Sequence, residues 1–120
     1  MEQINILKVQ EYLNGFINEN LYFHLETSNG AYSTLEEDEN ISICTFIRNN
    51  KIQFDRGVIT GEGPYRVGLR LAEGWLYAEG LTDWEVTKQQ QLLLAGHDKE
   101  GRVLIALELS REPFHAVKSV

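Results

Sequence analysis

Residues 61–84 read GEGPYRVGLRLAEGWLYAEGLTDW, five glycines and four aromatic residues in one stretch. From Tyr65 to Leu71 and from Trp75 to Leu81, side-chain character alternates with the two-residue period of a strand. Ala72-Glu73-Gly74 lies between as a three-residue loop, with Gly74 suited to a left-handed position. The stretch is therefore a β-hairpin. That loop sets Leu71 opposite Trp75, Leu69 opposite Tyr77, Val67 opposite Glu79 and Tyr65 opposite Leu81. Paired residues share a face, so one face is broad and aromatic. The other pairs Arg70 with Leu76, Gly68 with Ala78 and Arg66 with Gly80, a shallow trough edged by two arginines. Two readings follow. In one, the aromatic face is core and the glycines admit a closely packed element. In the other, Arg66, Arg70, Gly68 and Gly80 form a recess for an anionic ligand or a partner's acidic segment, because a guanidinium forks onto carboxylate or phosphate.

The same alternation runs outward in both directions. LYFHLET (21–27) puts Leu21, Phe23 and Leu25 on one face and Tyr22, His24 and Glu26 on the other. Asn29-Gly30 predicts a tight hairpin turn into AYSTL, and the acidic run EEDEN at 36–40 a solvated connection. ISICTFIR and KIQFDRGVIT flank Asn49-Asn50, a second predicted turn. QLLLAGH and RVLIALELS flank DKEG, and VLIALEL, apolar on both faces, predicts a central strand covered on both sides. Only the N-terminus reads as helix: Ile6, Val9, Leu13, Phe16 and Ile17 recur at helical spacing over 5–18, with Gly15 weakening the last turn. Strands joined by short turns predict an all-β fold of antiparallel hairpins with one N-terminal α-helix: a single domain over 1–120, helix 5–18 and β body 21–110.

Composition narrows the function. The chain has 120 residues, a net charge of −7 and no basic run, a poor starting point for binding nucleic acid. A single cysteine, Cys44, forbids an internal disulfide and fits a reducing compartment. No signal-peptide pattern opens the sequence and no apolar run approaches bilayer length, so a soluble cytoplasmic protein is expected. Cys44 lies among large apolar residues and is expected to act as a small hydrophobe. His24 and Glu26, with His97 or His115, could be imagined as a two-histidine, one-carboxylate metal site, but no local ligand spacing supports it. Hydrogen-bonded or solvated histidines are the expectation, with no cofactor and no metal. Asp98 and Glu100 suit turn chemistry. GEGPYRVG is not a dinucleotide loop, because strand residues follow Pro64 and the third glycine is misplaced. No catalytic motif stands out. Tyr22, His24 and Glu26 form a second polar cluster available to a ligand.

At HLETSNGAYS (24–33), IRN (47–49), GPYRVGL (63–69), GWLYAEGLT (74–82) and AGH (95–97), the sequence resembles the YojF-like family of small bacterial proteins. The resemblance runs from about residue 20 to REPF at 111–114 and brings no catalytic residues with it. It implies an all-β fold with coiled or split sheets. Through gene neighbourhood it also implies a link to an LmbE-like, zinc-dependent N-deacetylase of low-molecular-weight thiol metabolism. The expected role is a non-enzymatic accessory protein with that deacetylase as partner. The alternatives are a small anionic-ligand module using Arg66 and Arg70 or, less favoured, a metal-dependent hydrolase at His24, Glu26 and His97. A homodimer would protect the sheet edges.

Overall fold

The computed structural model describes residues 1–28 and 44–115. Its helix, α1 (Ile6–Gly15), starts where the Asn5 side chain accepts a hydrogen bond from the Lys8 N–H at 3.1 Å. It ends at Gly15, shorter than the apolar spacing predicts, because Asn18 turns left-handed (φ 63°) and its N–H bonds the Phe54 carbonyl. Val9, Leu13 and Phe16 are buried.

The strands are β1 (Glu2–Gln3), β2 (Leu21–Ser28), β3 (Cys44–Ile52), β4 (Arg56–Gly61), β5 (Tyr65–Leu71), β6 (Gly74–Leu81), β7 (Asp83–Val86), β8 (Leu92–His97) and β9 (Val103–Ser110). Among the described residues they form two separate sheets. Six strands run β1-β7-β8-β9-β2-β3 and three run β4-β5-β6, antiparallel throughout. The all-β class with one N-terminal helix and split sheets is what the sequence and the resemblance predict. As expected, β9 is central, paired with β2 and β8, with Leu107 and Leu109 fully buried. Thr82 is the corner where the chain passes between sheets: its N–H bonds the Ala95 carbonyl and its carbonyl accepts from the Ile4 N–H. One apolar cluster joins the helix, the inner faces of both sheets and Phe54.

Three expectations need correction. Asn49-Asn50 is no turn: β3 runs through it, and Asn49 (φ 60°) is the extra residue of a bulge opposite Phe23 and His24. Its carboxamide holds the C-terminal segment, donating to the Phe114 carbonyl at 2.9 Å and accepting from the Phe114 N–H at 2.6 Å. Cys44, expected in an apolar environment, is exposed at the start of β3. The loop between β5 and β6 has two residues, since Leu71 pairs with Gly74. The predicted hairpin at Asn29-Gly30 and the acidic run at 36–40 lie outside the described residues.

Gln10 ties α1 to the edge of the small sheet. Its side chain donates to the Gly57 carbonyl at 2.8 Å and accepts from the Ile59 N–H at 3.0 Å, as a neighbouring strand would.

Candidate interaction face

Shortening the β5–β6 loop by one residue turns β6 over, because a one-residue slip moves every side chain to the opposite face. Leu76 and Ala78 now point inward with Leu69 and Val67, while Trp75, Tyr77 and Glu79 point outward. The true pairs are Arg70 with Trp75, Gly68 with Tyr77 and Arg66 with Glu79. A second irregularity between Tyr65 and Arg66, where Gly80 takes φ 86°, restores the inward setting of Leu81 opposite Tyr65. The trough drawn from the sequence is therefore absent: Tyr77 and Trp75 lie where it would be. A Cβ on Gly68 would sit 2.9 Å from Tyr77 Cε1 and 3.4 Å from Trp75 Cε3, so this glycine is the bed of the rings. Gly80 stands outside the group, its carbonyl turned toward Gly96 of β8.

On β4, Gly57 and Ile59 are buried, so Arg56, Val58 and Thr60 face outward. Three cross-strand rows result: Arg56–Arg70–Trp75, Val58–Gly68–Tyr77 and Thr60–Arg66–Glu79. The side chains hold one another. Trp75 and Tyr77 stack with centroids 5.5 Å apart and planes 4° from parallel. The Arg66 guanidinium carbon lies 3.9 Å from the Tyr77 ring centre, with Glu79 at 3.8 Å from Arg66 Nε. Arg70 forks onto Asp55, at 2.8 Å and 3.4 Å, and these hydrogen bonds hold the Asp55 carboxyl below its ordinary value. Trp75 and Tyr77 remain 40% and 46% exposed, an ordered aromatic patch among arginines.

Tyr22, His24 and Glu26 are on the six-stranded sheet, apart from this face. His24 is 5% exposed and sealed by Phe46, edge-on at 5.2 Å. Its Nδ1 lies 3.2 Å from Arg48 Nη1, and a guanidinium only donates, so Nδ1 accepts. The ring proton then sits on Nε2, directed at Glu26 Oε1 at 3.2 Å. Arg48 also donates to the His115 carbonyl and lies over Phe114, which makes the group a clasp for the C-terminal segment. Tyr22 pairs with Lys51 and lines a separate cleft of about 530 Å³ with Asn20 and Gln53. His97 Nδ1 is 3.2 Å from Asp83, whose carboxyl is held low chiefly by the Thr82 hydroxyl and also by His97. The described residues contain no group of three side chains able to hold a metal, so His97 does not join His24 and Glu26. Asp98 does serve its turn, accepting from the Glu100 and Arg102 N–H groups at 2.9 Å each. Among the described residues no helix is long and apolar enough to cross a membrane.

The sequence reading missed Arg56, and it placed Trp75 and Tyr77 in the core. Only the register could have revealed either.

Fold and face together define a helix-capped, two-sheet antiparallel β domain with an open arginine–aromatic surface. A family model described as a protein of unknown function (DUF1806) matches residues 3–114. The uncharacterized protein YojF of Bacillus subtilis is 43% identical over 106 residues, 88% of this chain and 91% of that protein. The crystal structure of Bacillus subtilis YojF superposes with a TM-score of 0.78 at 37% identity, covering 96% of this chain and 97% of that one. The chain belongs to the DUF1806 family, of which YojF is a relative, as the sequence resemblance predicts.

Proposed function

We propose that the protein is a non-enzymatic cytoplasmic accessory protein that docks another protein on the outer face of β4-β5-β6. One observation carries this: Trp75 and Tyr77 are stacked, pinned by Arg66 and Gly68, and still exposed. Tryptophan, tyrosine and arginine dominate binding hot spots, and side chains already ordered lose little entropy on association. The small-anion alternative is less well supported. Arg70 is already forked onto Asp55 and Arg66 lies on Tyr77, whereas small-ligand sites are concave and bury most of the ligand. The class of partner to try first is the LmbE-like N-deacetylase implied by the family resemblance.

The test is native capture from the source cytosol with the intact protein and a Trp75→Ala/Tyr77→Ala double variant, read by mass spectrometry of intact complexes. Both rings lie outside the core cluster, so the variant should lose their stacking and cation–π contacts yet still fold with a cooperative melt. A stoichiometric protein partner bound by the parent and lost by the variant is the expected result. Retention of the partner by the variant, or turnover by the purified protein alone, overturns the reading.

A further inference from the structure

We propose that Arg56 is the hydrogen-bond donor to a carboxylate carried by the docking partner, so that the partner presents an acidic segment to the Arg56–Arg70–Trp75 row. This rests on the docking reading above and specifies its chemistry.

Each arginine but one has a partner. Arg48 bonds His24 and the His115 carbonyl, Arg66 has Tyr77 and Glu79, and Arg70 has Asp55. Arg102 has Asp98 and Glu100, and Arg111 has Glu19. Arg56 alone has no partner among the described residues, in a chain of net charge −7 that has carboxylates to spare. It is also directly opposite Arg70, and like charges facing each other across strands destabilise a sheet. Asp55 answers Arg70 with both oxygens and leaves Arg56 unanswered. The outward strand positions among the described residues carry Arg56, Arg66 and Arg70 against Glu79, with Asp55 beside Arg70. An incoming carboxylate would relieve the Arg56–Arg70 repulsion and meet a donor fork. Val58, Trp75 and Tyr77 beside it offer contact to an apolar neighbour of that carboxylate. Nucleic acid fits less well, because Tyr77 already has Arg66 of β5 over its ring and Trp75 stacked on it, so Tyr77 is not free to stack on a base.

The test measures binding of a fluorescein-labelled oligoglutamate peptide bearing one phenylalanine, by anisotropy, against an oligoglutamine counterpart. Single-stranded oligothymidine and inorganic phosphate serve as competitors. The acidic peptide should bind at low ionic strength and weaken with salt, and the glutamine peptide should not bind. Arg56→Gln should cost about tenfold in affinity, the scale of one charge-assisted hydrogen bond. Asp55→Asn should tighten binding severalfold by releasing the Arg70 fork, an effect that a purely structural ion pair would not give. Arg56 is exposed and has no partner among the described residues, so Arg56→Gln should melt with the parent. Equal affinity in Arg56→Gln, no peptide binding at low ionic strength, or displacement by oligothymidine or phosphate in preference to the peptide each overturns the inference. A captured partner lost by the ring variant but indifferent to Arg56→Gln and Asp55→Asn overturns this inference alone. One indifferent to the ring variant overturns the docking reading itself.

Discussion

Gly96 of β8 lies against Gly80 at the irregularity in β6, and Gly96→Ala tests that seam between the sheets. A Cβ at Gly96 would overlap the Gly80 carbonyl oxygen and lie 2.9 Å from its carbonyl carbon and 2.8 Å from Ile105 Cγ2. Ile105 can rotate away, but Gly80 is backbone held at the bulge, so the strands must part by about 1 Å, enough to forfeit much of each contact's dispersion energy. The fully buried Leu81, Leu92, Leu94 and Leu107 lie in the same core. Overpacking costs about 1–3 kcal/mol, and a main-chain obstacle places this case near the top of that range. At about 2.1 cal/mol/K of unfolding entropy per residue, a chain of 120 residues has roughly 0.25 kcal/mol/K. A loss of about 3 kcal/mol therefore lowers Tm by about 12 °C. Thermal and urea unfolding measure it. A change below about 0.5 kcal/mol would show that the seam gives way freely and that the close approach does not fix the angle between sheets.

At Gly15 the same substitution should act in the opposite direction: nothing lies within 4 Å of a Cβ there, so Gly15→Ala should raise stability by up to about 1 kcal/mol in urea unfolding. Gln10→Ala removes two hydrogen bonds from part-buried backbone of β4 and should cost about 1–3 kcal/mol; an unchanged urea midpoint would mean that water replaces the amide without loss. Glu19, Asp55, Asp83 and Asp98 all have folded pKa values below their ordinary 4.5 and 3.8. The Arg111, Arg70 and Thr82 hydrogen bonds are the leading causes for the first three; for Asp98, burial opposes and the Arg102 and Glu100 hydrogen bonds prevail. Depressed carboxylates stabilise the fold above their unfolded pKa, and that contribution fades as pH falls through the folded values. Tm should thus hold from neutral pH to about 5 and drop below about 4; a flat profile down to pH 3 would refute the assignment. Cys44 is exposed, so the folded protein should react with Ellman's reagent as readily as the unfolded one, and protection until unfolding would place the thiol inside.

What the sequence revealed and what it hid divide along one physical line. The period-two runs of β2 and β5 were legible because burial of Leu21, Phe23, Val67 and Leu69 imposes the pattern directly, and β9 was legible as a continuous apolar run between two neighbours. Turns were not, because the same residues serve two geometries. An Asn pair supplies positive φ equally to a hairpin turn and to a bulge, and what selects the bulge at Asn49 is the distant Phe114 backbone bonded to its side chain. Ala72-Glu73-Gly74 suits a loop of two residues or three, yet the choice decides whether Trp75 and Tyr77 fill the core or face outward. Tyr65 and Leu81 were paired correctly only because the loop error and the unforeseen irregularity at Gly80 cancel. β1 and β7 are two and four residues long, too short for a period to show. The burial of His24 depends on Arg48 and Phe46 across the β2–β3 pair, which a strand read alone does not contain.

The charge on the face also bears on self-association. A two-fold dimer sets a surface against its own copy. On β4-β5-β6 that would bring Arg56, without a partner among the described residues, and its neighbour Arg70 against another such pair, so charges beside the rings repel a second copy. Elsewhere side-chain amides already hold main chain that could otherwise pair between molecules: Gln10 binds Gly57 and Ile59 at the edge of β4, and Asn49 binds Phe114 beside β3. A homodimer would therefore use a different surface from the proposed acidic partner, and the two associations should be separable. Arg56→Glu makes the distinction: it should abolish docking of an acidic segment while leaving the mass by light scattering unchanged, at or above the 13.8 kDa of one chain. A shift in mass in that variant would mean that copies of this chain, through the same arginine row, had been the partner all along.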